Sequence, residues 1–438
     1  MTAKKALDRT IRLIRDAVTD DISDDAIVKR LQSFRVRFIA DEANLRTHAG
    51  QTALVTLVSL VVRMGIQVDL DIPEVEIIGP QPPLRGKHLR AALVDFGADG
   101  VPGTAVTRDG HLACGLVFVL GDTPTELDPN FWRVTGSAWA GHIARGIFTG
   151  ERWGTDWPIG GMVAAVLAAS EVFKTVVRTM PLRPVWDEYL APCDFATWDF
   201  EGDGLILPEN KSVKIDVISA GAITQATLYA LFRLPIKLAI RIFDDDDAEL
   251  SNINRQMLFR RSDSGAKVDI ATLSAPTLFV CTPILERFSM ATSAQHLPLA
   301  PHVLVGVDDI PSRWEVQRAT QGWVGIGATT HFEASISSHE AQQPCAGCLH
   351  PIDDPQPAGP IPTVSFVSFW AGLALAVRFL RHVGGLPHDD RQQHLWVSSL
   401  RMDMANAALW RPVAGRKDCP TGCLGSRILS PAVTTHDL

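Results

Sequence analysis

Residues 214–256 read KIDVISAGAITQATLYALFRLPIKLAIRIFDDDDAELSNINRQ. The stretch opens on an apolar, β-branched run from Ile215 to Ser219, turns at Gly221, and continues as a mostly apolar helical segment, QATLYALFRL. A second such run, KLAIRIF, ends at four acids, Asp244 to Asp247. Strand, turn, helix and strand on this scale form a unit of a largely parallel sheet with helices packed on its faces. The first turn presents backbone N–H groups and a helix N-terminus, the arrangement that receives a phosphate.

The glycine fingerprint of that role is thin, because Ser219 and Thr224 stand where the first and third glycines belong and only Gly221 remains. Asp244 strengthens it: it lies roughly twenty residues beyond Gly221, at the end of the next strand, where an acid hydrogen-bonds a ribose hydroxyl. Asp246 follows in a D-x-D pattern, and the SNINRQ loop comes directly after, with Arg260, Arg261 and Lys267 close behind. Guanidinium, ammonium and amide donors beside a ribose acid point to a triphosphate, since charge-assisted bonds to phosphate are the strong ones. The later strand HVLVGVD ends in Asp308, and a lone carboxylate at a strand's carboxyl end suits Mg²⁺ shared with phosphate oxygens. Taken singly, each has a bland reading: an acidic run as a solvated turn, an Asn-rich loop as a turn, an acid after a strand as a helix cap. Their order and spacing favour a site.

The same rhythm occurs earlier in the chain. Gly50 opens TALVTLVSLVVRMG and the strand IQVDLDIPE, as Gly221 opens its helix and strand. The strand GLVFVLGD ends in Asp122 as HVLVGVD ends in Asp308. Long apolar helices follow Pro158 and Pro362. These landmarks predict an α/β protein of two tandem Rossmann-like units, residues 1–204 with an N-terminal helical segment and residues 205–438, joined near DFEGDGLILPENKS. At the offset from Gly50 that Asp244 has from Gly221 stands Pro73, and the first half has no SNINRQ-like loop.

The 438 residues, 46% hydrophobic, suffice for sizeable cores. A net charge of -8 argues against nucleic acid or an anionic membrane as the main partner. The N-terminus carries apolar residues at helical spacing (Leu7, Ile11, Ile14, Val18) among charges, so it lacks the apolar core of a signal peptide. The apolar runs Ala53–Val62 and Phe366–Val377 fall short of the roughly 20 residues that span a bilayer and read as buried helices. Seven cysteines without an export signal predict reduced thiols and a cytoplasmic location.

Four of the seven form two short-spaced pairs, Cys345 with Cys348 and Cys419 with Cys423, which fits a tetrahedral four-thiolate zinc site; a disulfide pair or free thiols is the alternative. His350, beside the first pair, is a bystander when four thiolates are present. Cys114 and Cys281 lie in apolar runs and read as buried, whereas Cys193 reads as the most exposed.

The glycine turn and helix, D-x-D with SNINRQ, Gly265-x-Lys267, a strand ending in Asp308 with Arg313 behind it, and the paired cysteines resemble the ubiquitin-activating enzymes and the bacterial sulfur-carrier adenylyltransferases of the ThiF type. The resemblance covers roughly residues 210–425. It implies ATP-dependent adenylation of the C-terminal glycine carboxylate of a ubiquitin-like protein, with release of pyrophosphate. By position, Asp244 would hold the ribose, with Ser219, Gly221 and Asp246 around the nucleotide. Asn252, Arg255, Gln256 and Lys267 would hold the phosphates and Asp308 the Mg²⁺, while Arg255, Lys267 and Asp308 would carry the catalysis.

Relatives work as dimers or as a pseudo-dimer of an inactive and an active half, so the resemblance implies a single-chain pseudo-dimer with an inactive N-terminal adenylation domain. The partner half lends an arginine to the ATP in relatives; Arg35, Arg37 and Arg46 are the candidates. The structural zinc clip and a bacterial conjugation pathway, with a transfer enzyme as second partner, belong to the same expectation.

Many relatives pass the acyl group to a cysteine after the first Cys pair, but no cysteine follows Cys348 until Cys419. Three outcomes stay open: adenylation alone, transfer to a distant cysteine (Cys193 or Cys281), or an ester on Thr363, Ser365 or Ser368. A hydroxyl at a helix start is normally a cap. Two other functions remain, a non-catalytic nucleotide-binding scaffold with a decayed site and a nicotinamide-dependent oxidoreductase; SNINRQ and Asp308 have no role in the latter.

Overall fold

In the computed structural model, the described residues are 2–109, 112–125, 131–146, 150–208, 212–320, 322–352, 361–386 and 392–423. Part of the joining segment and residues 353–360 lie outside them.

Three short helices, α1 (Ala3–Ala6), α2 (Asp8–Ala17) and α3 (Asp24–Ser33), precede the first sheet. Then come β1 (Arg35–Ile39), α4 (His48–Arg63), β2 (Gln67–Asp71), α5 (Leu89–Ala98), β3 (Val106–Thr107), β4 (Leu116–Leu120), β5 (Trp132–Gly136), β6 (Ala140–Arg145), α6 (Ile159–Val177), α7 (Trp186–Tyr189) and β7 (Phe195–Asp199). The second half repeats the plan. Its elements are β8 (Val213–Ile218), α8 (Ala222–Leu231), β9 (Leu238–Phe243), α9 (Lys267–Leu273), β10 (Phe279–Ile284), β11 (His302–Val305), α10 (Ile310–Ala319), β12 (Trp323–Thr330), β13 (Glu333–His339), α11 (Ala346–Leu349), α12 (Ser365–Val383), β14 (His394–Ser398) and β15 (Ala408–Arg411).

The sheet orders are β3-β2-β1-β4-β5-β6-β7 and β10-β9-β8-β11-β12-β13-β14-β15. In each, the first five strands are parallel and the remainder antiparallel. The expected duplication is therefore present for all seven strands of the first sheet, the second adding β15 at its edge. It extends to single positions: Ile39 pairs with Asp71 and Ile218 with Phe243, and two residues earlier an ion pair crosses each sheet, Arg37–Asp69 in the first and Asp216–Arg241 in the second. The charges have exchanged strands. The same register corrects the counterpart of Asp244, which is Ile72, the residue after β2, and not Pro73.

One apolar core runs through both halves, because α4 and α6 of the first and α8 and α12 of the second are apolar nearly all round and buried against one another. The helices α6 and α12 are each 19 residues and apolar enough to cross a membrane, longer than the uninterrupted apolar runs suggest, but both are packed inside the protein.

Polar groups in this interface are paired across it. Thr56 meets the Tyr229 hydroxyl at 3.0 Å, and the Ser365 hydroxyl donates to the Leu60 carbonyl at 2.8 Å. Arg63, at the end of α4 and 1% exposed, donates to the carbonyls of Ile253 (2.7 Å), Met257 (2.9 Å) and Phe259 (2.9 Å). Burial pulls its guanidinium down to about 9, so it stays cationic at neutral pH. The first of those carbonyls lies within the SNINRQ loop and the other two just beyond it. Replacing Arg63 by Ala leaves three buried acceptors unmet, and the chemical denaturation of Arg63→Ala should show a loss of about 3 kcal/mol against the wild type. An unchanged midpoint would refute the role given to this side chain.

Candidate functional site

The sheet of the second half switches direction between β8 and β11, and a parallel sheet opens a crevice at the carboxyl ends of strands at such a point. A cavity of about 530 Å³ lies there. Ser219, Gly221, Asp244, Asp246, Asn252, Arg255, Gln256, Lys267 and Asp308 all line it.

The turn after β8 is built without its first glycine by unusual means. Ser219 sits in the left-handed region at φ 86°, a conformation a side chain tolerates poorly, and its Oγ accepts the Gly221 N–H at 3.0 Å. The Ala220 N–H donates to Asp244 Oδ2 at 2.6 Å, and the Asp246 N–H to Asp244 Oδ1 at 2.9 Å. Asp244 thus fastens its own loop to the turn while lining the cavity. Gln225, buried on α8, donates to the Ala220 carbonyl and to Gln256 Oε1, each at 3.0 Å, and accepts the Leu258 N–H at 3.2 Å. It ties the turn to the SNINRQ loop.

Within that loop the amides divide the work. Asn252 Oδ1 accepts the Glu249 N–H at 2.7 Å and closes a short 3-10 turn. Asn254 points away, donating to the Thr10 hydroxyl at 3.1 Å. Arg255 is oriented by the Ser251 carbonyl (2.6 Å) and Asn254 Oδ1 (2.9 Å); burial lowers it to about 10 and leaves it charged. Lys267 opens α9 and pairs with Asp246, with Asp244 at 3.9 Å. Beyond β11, Asp309 caps α10 through the Ser312 N–H at 2.8 Å, leaving Asp308 to face the cavity; its carboxylate accepts no hydrogen bond from the described residues.

Several expectations fail. Arg260 and Arg261 do not reach the cavity: Arg260 pairs with Asp95 (2.6 Å) and Asp99 (3.0 Å), and Arg261 donates to the Ala98 carbonyl at 2.7 Å, all in the first half. Arg35, Arg37 and Arg46 do not reach it either. The first two belong to β1, where Arg37 pairs with Asp69, and Arg46 pairs with Glu42 at 2.7 Å. The arginine that the first half contributes is Arg9 of α2, which lines the cavity and donates to the Ile361 carbonyl at 3.1 Å. Thr363 and Ser368 line the cavity, whereas Ser365 is bound to Leu60 in the interface between halves.

Cys193 is buried, not exposed. Its Sγ lies 3.0 Å from Lys174 Nζ, and burial, then the charge of Glu171, push the thiol up to about 12. Cys281, on the edge strand β10, and Cys114, before β4, are only partly buried. Burial raises both thiols, Cys281 to about 11. Neither Arg9, Gln225 nor the rim residue Arg287 was singled out in the sequence; α2 carries Arg9, Arg12 and Arg15, and no local signal separates the first from the others.

In the first half the corresponding crevice is filled. Asn44 Nδ2 donates to Asp41 Oδ1 (2.9 Å), Asp122 Oδ1 (2.8 Å) and Thr123 Oγ1 (3.2 Å), while its Oδ1 accepts the Trp153 N–H at 3.3 Å. Gly121, at φ 56°, lets the chain pass so close that a Cβ there would fall 1.9 Å from Asn44 Oδ1.

Away from the cavity, Cys345, Cys348, Cys419 and Cys423 converge, each offering a sulfur within 4.8 Å of the others, and none is in a disulfide. The Sγ separations are 3.4 Å for Cys345–Cys419, 3.6 Å for Cys348–Cys423 and 3.8 Å for Cys419–Cys423. Four thiolates about 2.3 Å from a tetrahedral ion stand about 3.8 Å apart, so the cluster suits a closed metal site.

Residues 207–420 match the ThiF family and residues 35–183 the BilD N-terminal domain. No curated protein matches the chain. Solved structures with similarity include E. coli MccB with SeMet MccA, at 16% identity over 49% of this chain and 66% of that chain, TM-score 0.40. E. coli MccB with MccA-N7isoASN matches at 13% identity over 67% of this chain and 97% of that one, TM-score 0.42. PaaA matches at 17% over 46% and 64%, TM-score 0.37. On the first of these neighbours the chain spans just under two thirds of the neighbour's length. Residues 207–420 are thus a ThiF family domain, preceded over residues 35–183 by a BilD N-terminal domain.

Proposed function

We propose that the protein uses ATP and Mg²⁺ to adenylate the C-terminal carboxylate of a ubiquitin-like protein, feeding a bacterial conjugation pathway through a transfer enzyme. In this reading residues 205–438 are the active half and residues 1–204 an inactive one. The observation that carries it is the convergence of Asp244, Asp308 and the cations Arg9, Arg255, Lys267 and Arg287 in one cavity of the second half, while in the first half Asn44 is bonded to Asp122, the counterpart of Asp308.

A carboxylate oxygen attacks the α-phosphorus of ATP, the bond from that phosphorus to the β-bridging oxygen breaks, and pyrophosphate leaves. Two anions must be brought together, so the protein's work is positioning and electrostatic stabilisation. Asp244 binds the ribose, with Ser219, Gly221 and Asp246 shaping that end of the cavity. Asn252, Arg255, Gln256 and Lys267 face the phosphates, and Arg9 adds a cation from the other half. Asp308 would hold Mg²⁺, which neutralises phosphate charge when bound; a carboxylate that accepts no hydrogen bond from the described residues and lines the same cavity fits that role. The four-cysteine cluster would hold a structural Zn²⁺ clipping α11 to the chain after β15, and its reduced thiols suit a cytoplasmic setting.

ATP–pyrophosphate exchange with ubiquitin-like proteins encoded beside the gene tests the reaction. Arg255→Ala and Arg9→Ala should each lower exchange by about 10² to 10³. Exchange that persists in Arg255→Ala, or is absent with every such partner, sinks the reading and leaves a nucleotide-binding scaffold.

Because burial leaves both Cys193 and Cys281 poorly ionised, any covalent adduct should resist thiol reductant and persist in Cys193→Ala and Cys281→Ala. Mass spectrometry with and without reductant decides this. Metal analysis should find one zinc per chain, lost in Cys345→Ser; a metal-free native protein would refute the clip.

A further inference from the structure

We infer that Thr363 and Ser368 form the acyl end of the cavity, holding the substrate's carboxyl oxygen by hydrogen bonds and not accepting the acyl group themselves. The inference rests on the adenylation reading and deepens it.

Both hydroxyls line the cavity and are nearly removed from solvent, at 5% and 1% exposure. Thr363 Oγ1 lies 3.2 Å from Ser368 Oγ. Two hydroxyls carry two protons, and their mutual bond uses one. Among the described residues neither has another acceptor, so one buried O–H donor remains, and burial disfavours leaving such a group unmade.

The helix beginning between them adds to this. The N-cap of α12 is Val364, which has no side chain able to bond the first N–H groups of a 19-residue helix, where Ser, Thr, Asp or Asn is the usual choice. The positive end of the helix and a spare hydroxyl proton therefore meet at one wall, an arrangement that favours an anionic or carbonyl oxygen.

The order of strands says which oxygen. Asp244 follows β9, the glycine turn follows β8, Asp308 follows β11 and Thr329 is the last residue but one of β12. Thr329 lines the cavity together with the hydroxyl pair. That wall is three strand spacings from the ribose acid, roughly 14 Å. The nucleoside and its phosphates occupy the β9 to β11 side, so the far wall is left for the other reactant. Arg9, bonded to the Ile361 carbonyl two residues before Thr363, brings a cation to the same end. A nucleophilic hydroxyl needs a base in reach, and neither hydroxyl has a hydrogen bond to a histidine, carboxylate or amine among the described residues.

The test titrates the full chain calorimetrically with AMP, ATP and 5′-O-(N-glycylsulfamoyl)adenosine, a stable mimic of a glycyl adenylate. Thr363→Val and Ser368→Ala should weaken the mimic about tenfold while AMP stays within about twofold, and Thr363→Ser should restore wild-type binding. Retained AMP affinity shows that the variants fold. Equal losses on AMP and the mimic, a loss on ATP alone, or no loss on the mimic would each overturn the assignment while leaving the nucleotide site standing. A wild type that binds none of the three overturns the nucleotide reading and this subsite with it.

Discussion

Arg63 holds the site in shape from the other half of the molecule. The SNINRQ loop has no regular structure beyond one short turn, so its backbone carbonyls need partners outside the loop. The Arg63 guanidinium gathers the carbonyls of Ile253, Met257 and Phe259 into the core, and Asn254 is drawn to Thr10 nearby. Arg255 and Gln256 are left on the cavity side. The cost of burying a guanidinium is offset because it donates to three otherwise unmet acceptors at once. A free-standing second half would lack this support.

The duplication explains why the dependence runs in one direction. Both halves kept the strand order and even an ion pair at one register position, with its charges exchanged between strands. What diverged lies at the carboxyl ends of the strands. Where the second half has Asp244, the first has Ile72; where the second keeps an open crevice beside Asp308, the first fills its own with Asn44, bonded to Asp41, Asp122 and Thr123. The first half supplies Arg63, Asp95, Asp99 and Arg9 to its neighbour.

Ser219 shows a further economy. A glycine at that turn would adopt positive φ without strain, yet the serine is held there with its own hydroxyl accepting the Gly221 N–H. The neighbouring N–H of Ala220 is already bound to Asp244. These two N–H groups are thus engaged inside the protein, while the side-chain cations Arg255, Lys267 and Arg9 line the cavity beside the turn.

Residues close in sequence with a fixed local geometry were legible before the fold was known. Alternating strand and helix patterns specify the two α/β units, the strand-end acids Asp244 and Asp308 sit where parallel sheets open, and two short-spaced cysteine pairs have few ways to be satisfied other than together. The tertiary structure decided everything that depends on which way a side chain turns at an interface between distant segments. Arg260 looks like a phosphate ligand and is an ion-pair partner of Asp95; Ser365 looks like Thr363 and is bound to Leu60; Cys193 looks exposed and lies against Lys174. Arg9 stands more than two hundred residues from the loop it completes. Periodicity and spacing report local backbone geometry, whereas these partners are set by the packing of two halves, which no local pattern encodes.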